Sequence, residues 1–425
     1  MLDRAYVLAN ADKVAENCRN RGVDVDIPAF VAAETARRDA DKALQAAQTE
    51  ANALASDKAL SVDEKRERGK ALREKREALK AELDKRTEEA DALLWRIPNM
   101  THPASPIGRD DHDNKEIERN AVAIPKFDFA PRDHVALGEL HGIIDTEGGS
   151  KVAGPGFYFL KGDGALLELA LQNFAVNFLA KRGYVPHITP DIARDSILLG
   201  TGFVPRGNET NTYHIEDTDL SLIATAEITL CGLYQDTILD AAQLPIRIAG
   251  ISHCFRTERA AGRATRGLYR VHQFTKVEMV VIAPPEQSET LHQELLTNER
   301  DIFNALEIPY RVLDICTGDL GAAAYRKYDL EAWMPARGNG GEFGEITSTS
   351  NCTEFQARRL NIRYRTEPKG KPLYVHTLNG TAIALGRAMI SILENNQQAD
   401  GSVVVPKALR PFLGKDVLTP PPAKS

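Results

Sequence analysis

Two stretches near the start of the chain, residues 29 to 56 and 63 to 94, hold no proline, a single glycine and mostly strong helix formers. In the first, Ala36, Ala40, Ala43, Ala47 and Leu54 recur at alternating four- and three-residue intervals. In the second, Leu72, Leu79, Leu83, Ala90 and Leu93 do the same, with Arg76 and Arg86 interrupting the seam. The spacing predicts two long helices. The DKALS stretch between them leaves room only for a short turn, so they fold back as an antiparallel coiled-coil hairpin about 40 Å long. The pattern then breaks at WRIPNMTHPASPIG, residues 95 to 108, where three prolines and a glycine end the helix and mark a linker. Beyond it, short alternating runs are interleaved with helical stretches such as ALLELALQNFAVNFLAKRG, residues 165 to 183. That predicts an α+β fold whose second domain carries a mainly antiparallel sheet flanked by helices.

Within this second region, residues 255 to 280 place five arginines, at 256, 259, 263, 266 and 270, in a chain of formal net charge −7. GISHCFRTE reads as a strand, RAAGRATRG as a loop and LYRVHQFTKVEMVVIA as a returning strand. Because strand side chains alternate, Arg270, His272, Phe274, Lys276 and Glu278 are expected on one face, and Tyr269, Val271, Val277 and Met279 on the other. Arg256 and Glu258 share a face of the first strand. Cations, a flat aromatic and a carboxylate on one surface suit a nucleotide together with an amine-bearing substrate. A solvated sheet face laced with ion pairs would read the same way.

Composition narrows the classes. At 425 residues, 43% hydrophobic and 27% charged, the chain has length for two or three domains and an ordinary core. It has no apolar run of membrane-span length, and MLDRAYVLAN lacks the apolar region of a signal peptide, so a cytoplasmic location is expected. The five cysteines are scattered without a CxxC pair, which reads as reduced thiols and disfavours a zinc site. A sequence pI near 5.9 requires any polyanion to be met by local patches. The second helix is one candidate, yet residues 63 to 88 carry ten basic and eight acidic residues, which also fits a solvated face of i,i+4 pairs.

Three further segments bear on the chemistry. LIATAEITL sets Thr225 and Glu227 two apart, expected on one face of a strand. FGEITSTSN brings Glu345 and Ser348 close together. LNGTAIALGRAMISILE is expected to pass from strand to helix through Asn379, Gly380 and Thr381, with Arg387 beside an apolar stripe and so near the sheet, where a guanidinium wants a permanent anion. With these motifs in place, nearly the whole chain resembles the seryl-tRNA synthetase family, bacterial and organellar type, among the class II aminoacyl-tRNA synthetases. The resemblance is carried by GYVPHITP with Pro190 (motif 1), TAE at 225 to 227, FRTE and RGLYRVHQFTKVEM (motif 2), GEITSTSNCTEFQARR, and LNGTAIALGR with ENNQQADGSVVVPKALRPFLG (motif 3).

The resemblance implies a division into a tRNA-binding domain, residues 1 to 107, with its hairpin at about 29 to 94, and a class II catalytic domain, 108 to 425. It implies that Arg256, Glu345 and Arg387 are catalytic, and that Thr225, Ala226, Glu227, Arg256, Glu278 and Thr381 bind serine. ATP would be held by Arg256, Thr257, Glu258, Arg270, Val271, Phe274, Glu345, Ile346, Thr347, Ser348 and Arg387, with Mg²⁺ on Glu345 and Ser348. Arg259, Arg263 and Arg266 would touch tRNA, and the helical arm would grip tRNA(Ser), with tRNA(Sec) as a second expected acceptor. Homodimerisation through the region of Pro190 is implied as well. The chain departs from the family pattern at Ala224, where proline is usual, and in a motif 2 loop one residue short with Ala264 in place of aspartate. A carrier-protein ligase or a non-catalytic paralogue would share parts of this pattern. The first would lack the arm, and the second would be expected to lose one of Arg256, Glu345 or Arg387.

Overall fold

Short helices α1 (Arg4–Ala9) and α2 (Ala11–Asn20) open the chain ahead of the long pair α3 (Ile27–Ser56) and α4 (Val62–Leu94) in the computed structural model, which describes residues 1–204, 211–258 and 267–422. The periodicity gave no sign of the first two, since α1 is barely two turns long. Aspartates at the N-caps start two of these helices: Asp3 accepts from Tyr6 N and Asp26 from Ala29 N. Ser61 and Glu64 form a reciprocal capping box at the start of α4. The hairpin is antiparallel, as expected: Glu50 meets Lys75 at 3.0 Å, and Arg4 bridges Glu34 and Asp91 at the base. Two seam positions need correcting. Ala43 is exposed, with Leu44 turned inward instead, and Leu94 rather than Leu93 is the buried residue at the end of α4. Arg76 and Arg86 sit partly buried in the seam, where their aliphatic stems can pack.

The chain divides into two compact units, Met1–Met100 and Thr101–Ser425. The proline-rich stretch is not a free linker. Ile97, Pro98 and Asn99 are buried in the first unit, where the Asn99 carbonyl accepts from Asn17 Nδ2 and Arg21 Nη1. In the second unit His102 N donates to Tyr325 O.

That unit is built on an eight-stranded sheet. Its strands are β1 (Lys115–Arg119), β2 (Val185–Ile188), β3 (Ile246–Phe255), β4 (Gln273–Ala283), β5 (Tyr310–Asp314), β6 (Arg326–Met334), β7 (Glu342–Asn351) and β8 (His376–Ala384), in spatial order β1-β5-β6-β7-β8-β4-β3-β2. All neighbours are antiparallel except β2 and β3, as the expected mainly antiparallel sheet requires. The helices that matter for the site are α5 (Asp163–Ala180), α6 (Asp195–Thr201), α7 (Ala226–Gly232), α8 (Ser288–Ala305), α9 (Phe355–Leu360) and α10 (Leu385–Asn395).

Alternation along β4 explains where the site lies. Val277, Met279 and Val281 join a core with Leu171 of α5, Leu295 of α8 and Met389 of α10. Val280 and Ile282 face the other way, into a second core with Ala226 of α7 and Leu360 of α9. The second face turns polar at Glu278 and Lys276, with Phe274 next along it, and there two cavities open.

Candidate active site

Two cavities meet over this polar end of the sheet. The outer is bordered by Glu258, Val271, Phe274, Glu345 and Arg387; the inner by Thr225, Glu227, Glu278 and Asn379. Arg256, Lys276, Ser348 and Thr381 border both. The predicted residues are therefore gathered by elements far apart in sequence.

Strand boundaries differ from the expectation. β3 stops at Phe255 and β4 begins at Gln273, so Arg256 to Glu258 and Tyr269 to His272 lie outside the ladder. The two flanks are nevertheless tied: Arg256 N donates to His272 O, and His272 Nδ1 donates back to Arg256 O at 2.8 Å. The Arg256 guanidinium lies 5.2 Å over the Phe274 ring. Glu258 pairs with Arg270 at 3.0 Å, and its amide donates to Asn211 Oδ1, which also accepts from the Thr257 hydroxyl. Arg259, Arg263 and Arg266 lie outside the described residues.

Thr225 and Glu227 are not on a strand. Thr225 is the N-cap of α7, its hydroxyl accepting from Glu227 N, and Glu227 stands in the first turn. A Ser/Thr followed by helix formers is a helix-start signal, which the two-residue spacing obscured. Ala226 is buried, its methyl packed beneath Gly250, so its side chain does not reach the cavity.

On β7 a bulge does what regular alternation cannot. Thr347 pairs with Leu330 and Glu345 with Glu331, which leaves Ile346 as the extra residue. Ile346 enters the core and the Thr347 hydroxyl donates to Glu299 on α8, both behind the sheet. Glu345 and Ser348, three apart and of opposite parity, consequently share the cavity face.

Asn379, Gly380 and Thr381 are not the junction between strand and helix either: β8 runs on to Ala384 and α10 starts at Leu385. Arg387 lies near the sheet as expected, and the anion it meets is Glu345, at 3.2 Å. Its guanidinium also donates to the carbonyls of Glu345 and Tyr269 and stacks 4.7 Å over the Tyr269 ring. Burial works to raise the Glu345 carboxyl, but the charges of Arg387, Lys327 and Arg256 outweigh it and hold it at about 2.

Glu278 is buried, paired with Lys276 at 2.5 Å, and accepts from the Thr381 hydroxyl at 3.3 Å. Lys276 also donates to Thr381 at 3.3 Å. Burial and then the charge of Glu278 push the Glu227 carboxyl up to about 7, against opposing effects of Gln356, Lys276 and Arg256. Alternation put Lys276 on this face but gave it no role, and sequence reading missed Lys327 and Gln356 beside the inner cavity; Gln356, which bonds Glu227 from α9, left no local signal.

The antiparallel sheet thus carries an arginine at the junction of two cavities, and a helix start aims a second arginine at a strand carboxylate. The family model "tRNA synthetase class II core domain (G, H, P, S and T)" matches residues 212–396, and "Seryl-tRNA synthetase N-terminal domain" matches residues 1–101. The chain is 56% identical to a serine--tRNA ligase of Rubrobacter xylanophilus over 99% of both chains, and 53% identical to one of Rhodopirellula baltica over 98% of this chain and 99% of that one. Among solved structures, the seryl-tRNA synthetase of Pyrococcus horikoshii complexed with ATP superposes with a TM-score of 0.91 at 38% identity, covering 99% of this chain and 100% of that one. A cytoplasmic serine-tRNA ligase of Naegleria fowleri in complex with AMP gives 0.85 at 31%, over 96% of each. The chain belongs to the seryl-tRNA synthetase family.

Proposed function

We infer that serine and ATP meet across Arg256 in these two cavities, and that the chain acts as a serine--tRNA ligase, forming seryl-adenylate from L-serine and ATP and passing the seryl group to tRNA(Ser). One observation carries the assignment of sites: Arg256 borders both cavities. A fixed guanidinium at that junction can hold the serine carboxylate and the α-phosphate together for in-line attack, supplying orientation and charge stabilisation at once. In the outer cavity, Phe274 offers a stacking face for adenine, the Glu258 carboxylate an acceptor for its amino group, and Val271 an apolar wall. Arg387 is assigned to the γ-phosphate, with Arg270 and the backbone of Thr257, Ile346 and Thr347 completing the nucleotide site.

In the inner cavity, Thr225 and Glu227 receive the serine ammonium, and Glu278 with Thr381 receives the hydroxyl. Alanine would leave the buried Glu278 carboxylate without that partner, and threonine would bring a methyl into the closed end. Glu345 and Ser348 fit Mg²⁺: the bulge turns two oxygen donors to one face, and Glu345 stays ionised across the working pH range. Bound there with the phosphates, the ion would supply charge neutralisation.

The helical arm within residues 1 to 107 is assigned to tRNA(Ser), and to tRNA(Sec) where that acceptor is present; Arg259, Arg263 and Arg266 are assigned to the acceptor end. A second copy of the chain is assigned to the surface around Pro190, where Val185, Ile188, Leu166 and Leu169 are exposed, Ile188 to 87%. The described residues include no helix long and apolar enough to cross a membrane. All five cysteines are free and buried, which fits a reducing cytoplasm.

The test is serine-dependent exchange of pyrophosphate into ATP, followed by tRNA charging. Glu345→Gln and Arg387→Ala should each lower exchange by about a hundredfold or more, the effect of removing a transition-state charge contact. Full exchange in folded variants would remove both residues from the ATP site.

A further inference from the structure

Among the described residues, the side-chain hydrogen bonds to the Glu227 carboxylate come to one oxygen. Its Oε1 accepts from Gln356 Nε2 at 2.6 Å and from Asn379 Nδ2 at 2.8 Å, while the carboxylate borders the inner cavity. Gln356 stands on α9, wholly buried, and its hydrogen-bonding groups are all engaged. Nε2 donates a second time, to Thr201 O at 2.9 Å, and Oε1 accepts from Thr377 Oγ1 at 2.6 Å. A backbone carbonyl can only accept, so the contact with Thr201 fixes which end of the amide faces Glu227. A fully bonded amide in a dry interior is rigid, and a rigid donor on one carboxylate oxygen determines where the other oxygen points.

We propose that Gln356 is the positioning residue of the amino-acid site, clamping Glu227 Oε1 so that its second oxygen faces the α-ammonium of the substrate. The proposal rests on the assignment of Glu227 to that ammonium. Gln356 itself touches no substrate and acts through Glu227.

The arrangement has a pH signature. The charged and titratable groups around Glu227 are Glu278 and Lys276 from β4, Arg256 beyond β3, Cys231 of its own helix and Cys352 beyond β7. The hydrogen bond from Gln356 lowers the Glu227 pKa against burial and Glu278, which raise it. Removing that donor moves the titration to higher pH. Because the ammonium is met by the ionised carboxylate, the acid limb of kcat/KM for serine follows it upward.

The decisive variant is Gln356→Met, which keeps length and removes the amide. In pyrophosphate exchange measured across pH, KM for serine at neutral pH should rise by about tenfold, as for a lost hydrogen bond to a charged group, with KM for ATP unchanged. The acid limb should move to higher pH. A purely structural role would lower kcat or the melting temperature without moving that limb. A folded Gln356→Met enzyme with unaltered serine KM and pH profile overturns the proposal. If that variant does not fold, Thr377→Val decides: it is nearly isosteric, removes one of the two anchors of the amide while Thr201 O keeps the other, and should shift serine KM and the limb the same way by less, an absent shift counting against the proposal. Glu227→Gln separates the two layers. Should it leave serine KM intact, the assignment of Glu227 fails; should it abolish serine binding while Gln356→Met and Thr377→Val do nothing, only the positioning role fails.

Discussion

On the proposed assignment of Glu278 to the serine hydroxyl, selectivity rests at the residue scale on a buried carboxylate beside a buried ammonium. Glu278 is 2% exposed and Lys276 8%, so each charge is stable there chiefly because the other is 2.5 Å away. The pair leaves Glu278 as a charged acceptor for the substrate hydroxyl, a bond worth about 1.5–3 kcal/mol when made to a charge. Glu278→Gln keeps the shape and removes the charge, so the ratio of specificity constants for serine over alanine should narrow by about tenfold or more; competition in pyrophosphate exchange measures it, and an unchanged ratio would place the hydroxyl elsewhere. Most of this was legible in the sequence: alternation set Phe274, Lys276 and Glu278 on one face. What alternation could not show is that the charges cancel within the pair, because that depends on the depth of burial. Thr225 and Glu227 were placed on a strand for a related reason, since an i,i+2 pair looks the same there as at a helix start.

At the scale of elements, the bulge in β7 and the glycine in β8 are the devices that shape the site. Three residues apart, Glu345 and Ser348 would face opposite sides of a regularly pleated strand; the bulge at Ile346 brings them to one face. The back of the strand is fixed by α8, through Glu299 to the Thr347 hydroxyl and through His292, which donates Nε2–H to Thr349 O at 3.1 Å. Gly380 is what lets α8 come so close: a Cβ there would stand 2.9 Å from Glu299 Oε1 and 3.0 Å from Thr349 Oγ1. Gly380→Ala should therefore destabilise by about 1–3 kcal/mol, the cost of overpacking, and reduce exchange as β7 is displaced. Thermal unfolding and exchange assayed together check this; a variant as stable and active as the parent would show that α8 can yield. The sequence marks Gly380 only as part of an NG pair, a turn signal in isolation. Its place inside a strand follows from pairing with Met279 and Thr349, neither of them local.

For the whole molecule, the proposed function divides the work between the two units, tRNA binding in the first and catalysis in the second. The arm buries only a narrow seam and keeps its charged faces in water, so its outer half can be removed without opening a core. Glu50 on α3 and Lys75 on α4 pair across the hairpin, which makes residues 51 to 74 a natural cut. Replacing them with a short turn should leave serine-dependent exchange near the parent value while charging of tRNA(Ser) falls by more than tenfold at low salt, with the gap to the parent narrowing as salt is raised, because the parent's phosphate contacts release counterions and weaken with salt. Equal loss of both activities in a folded variant would contradict the division. The sequence alone determined the hairpin and the mainly antiparallel sheet, and its motifs named the candidate residues that the two cavities gather, because helix period, strand alternation and motif spacing are local properties that a single chain displays. Tertiary structure alone decided the rest: that Glu345 answers Arg387, that a bulge turns Glu345 and Ser348 to one side, and that Gln356 reaches Glu227 across 129 residues. Such pairings arise when packing closes off water and each buried polar group must find its partner, and no interval along the chain records which partner that will be.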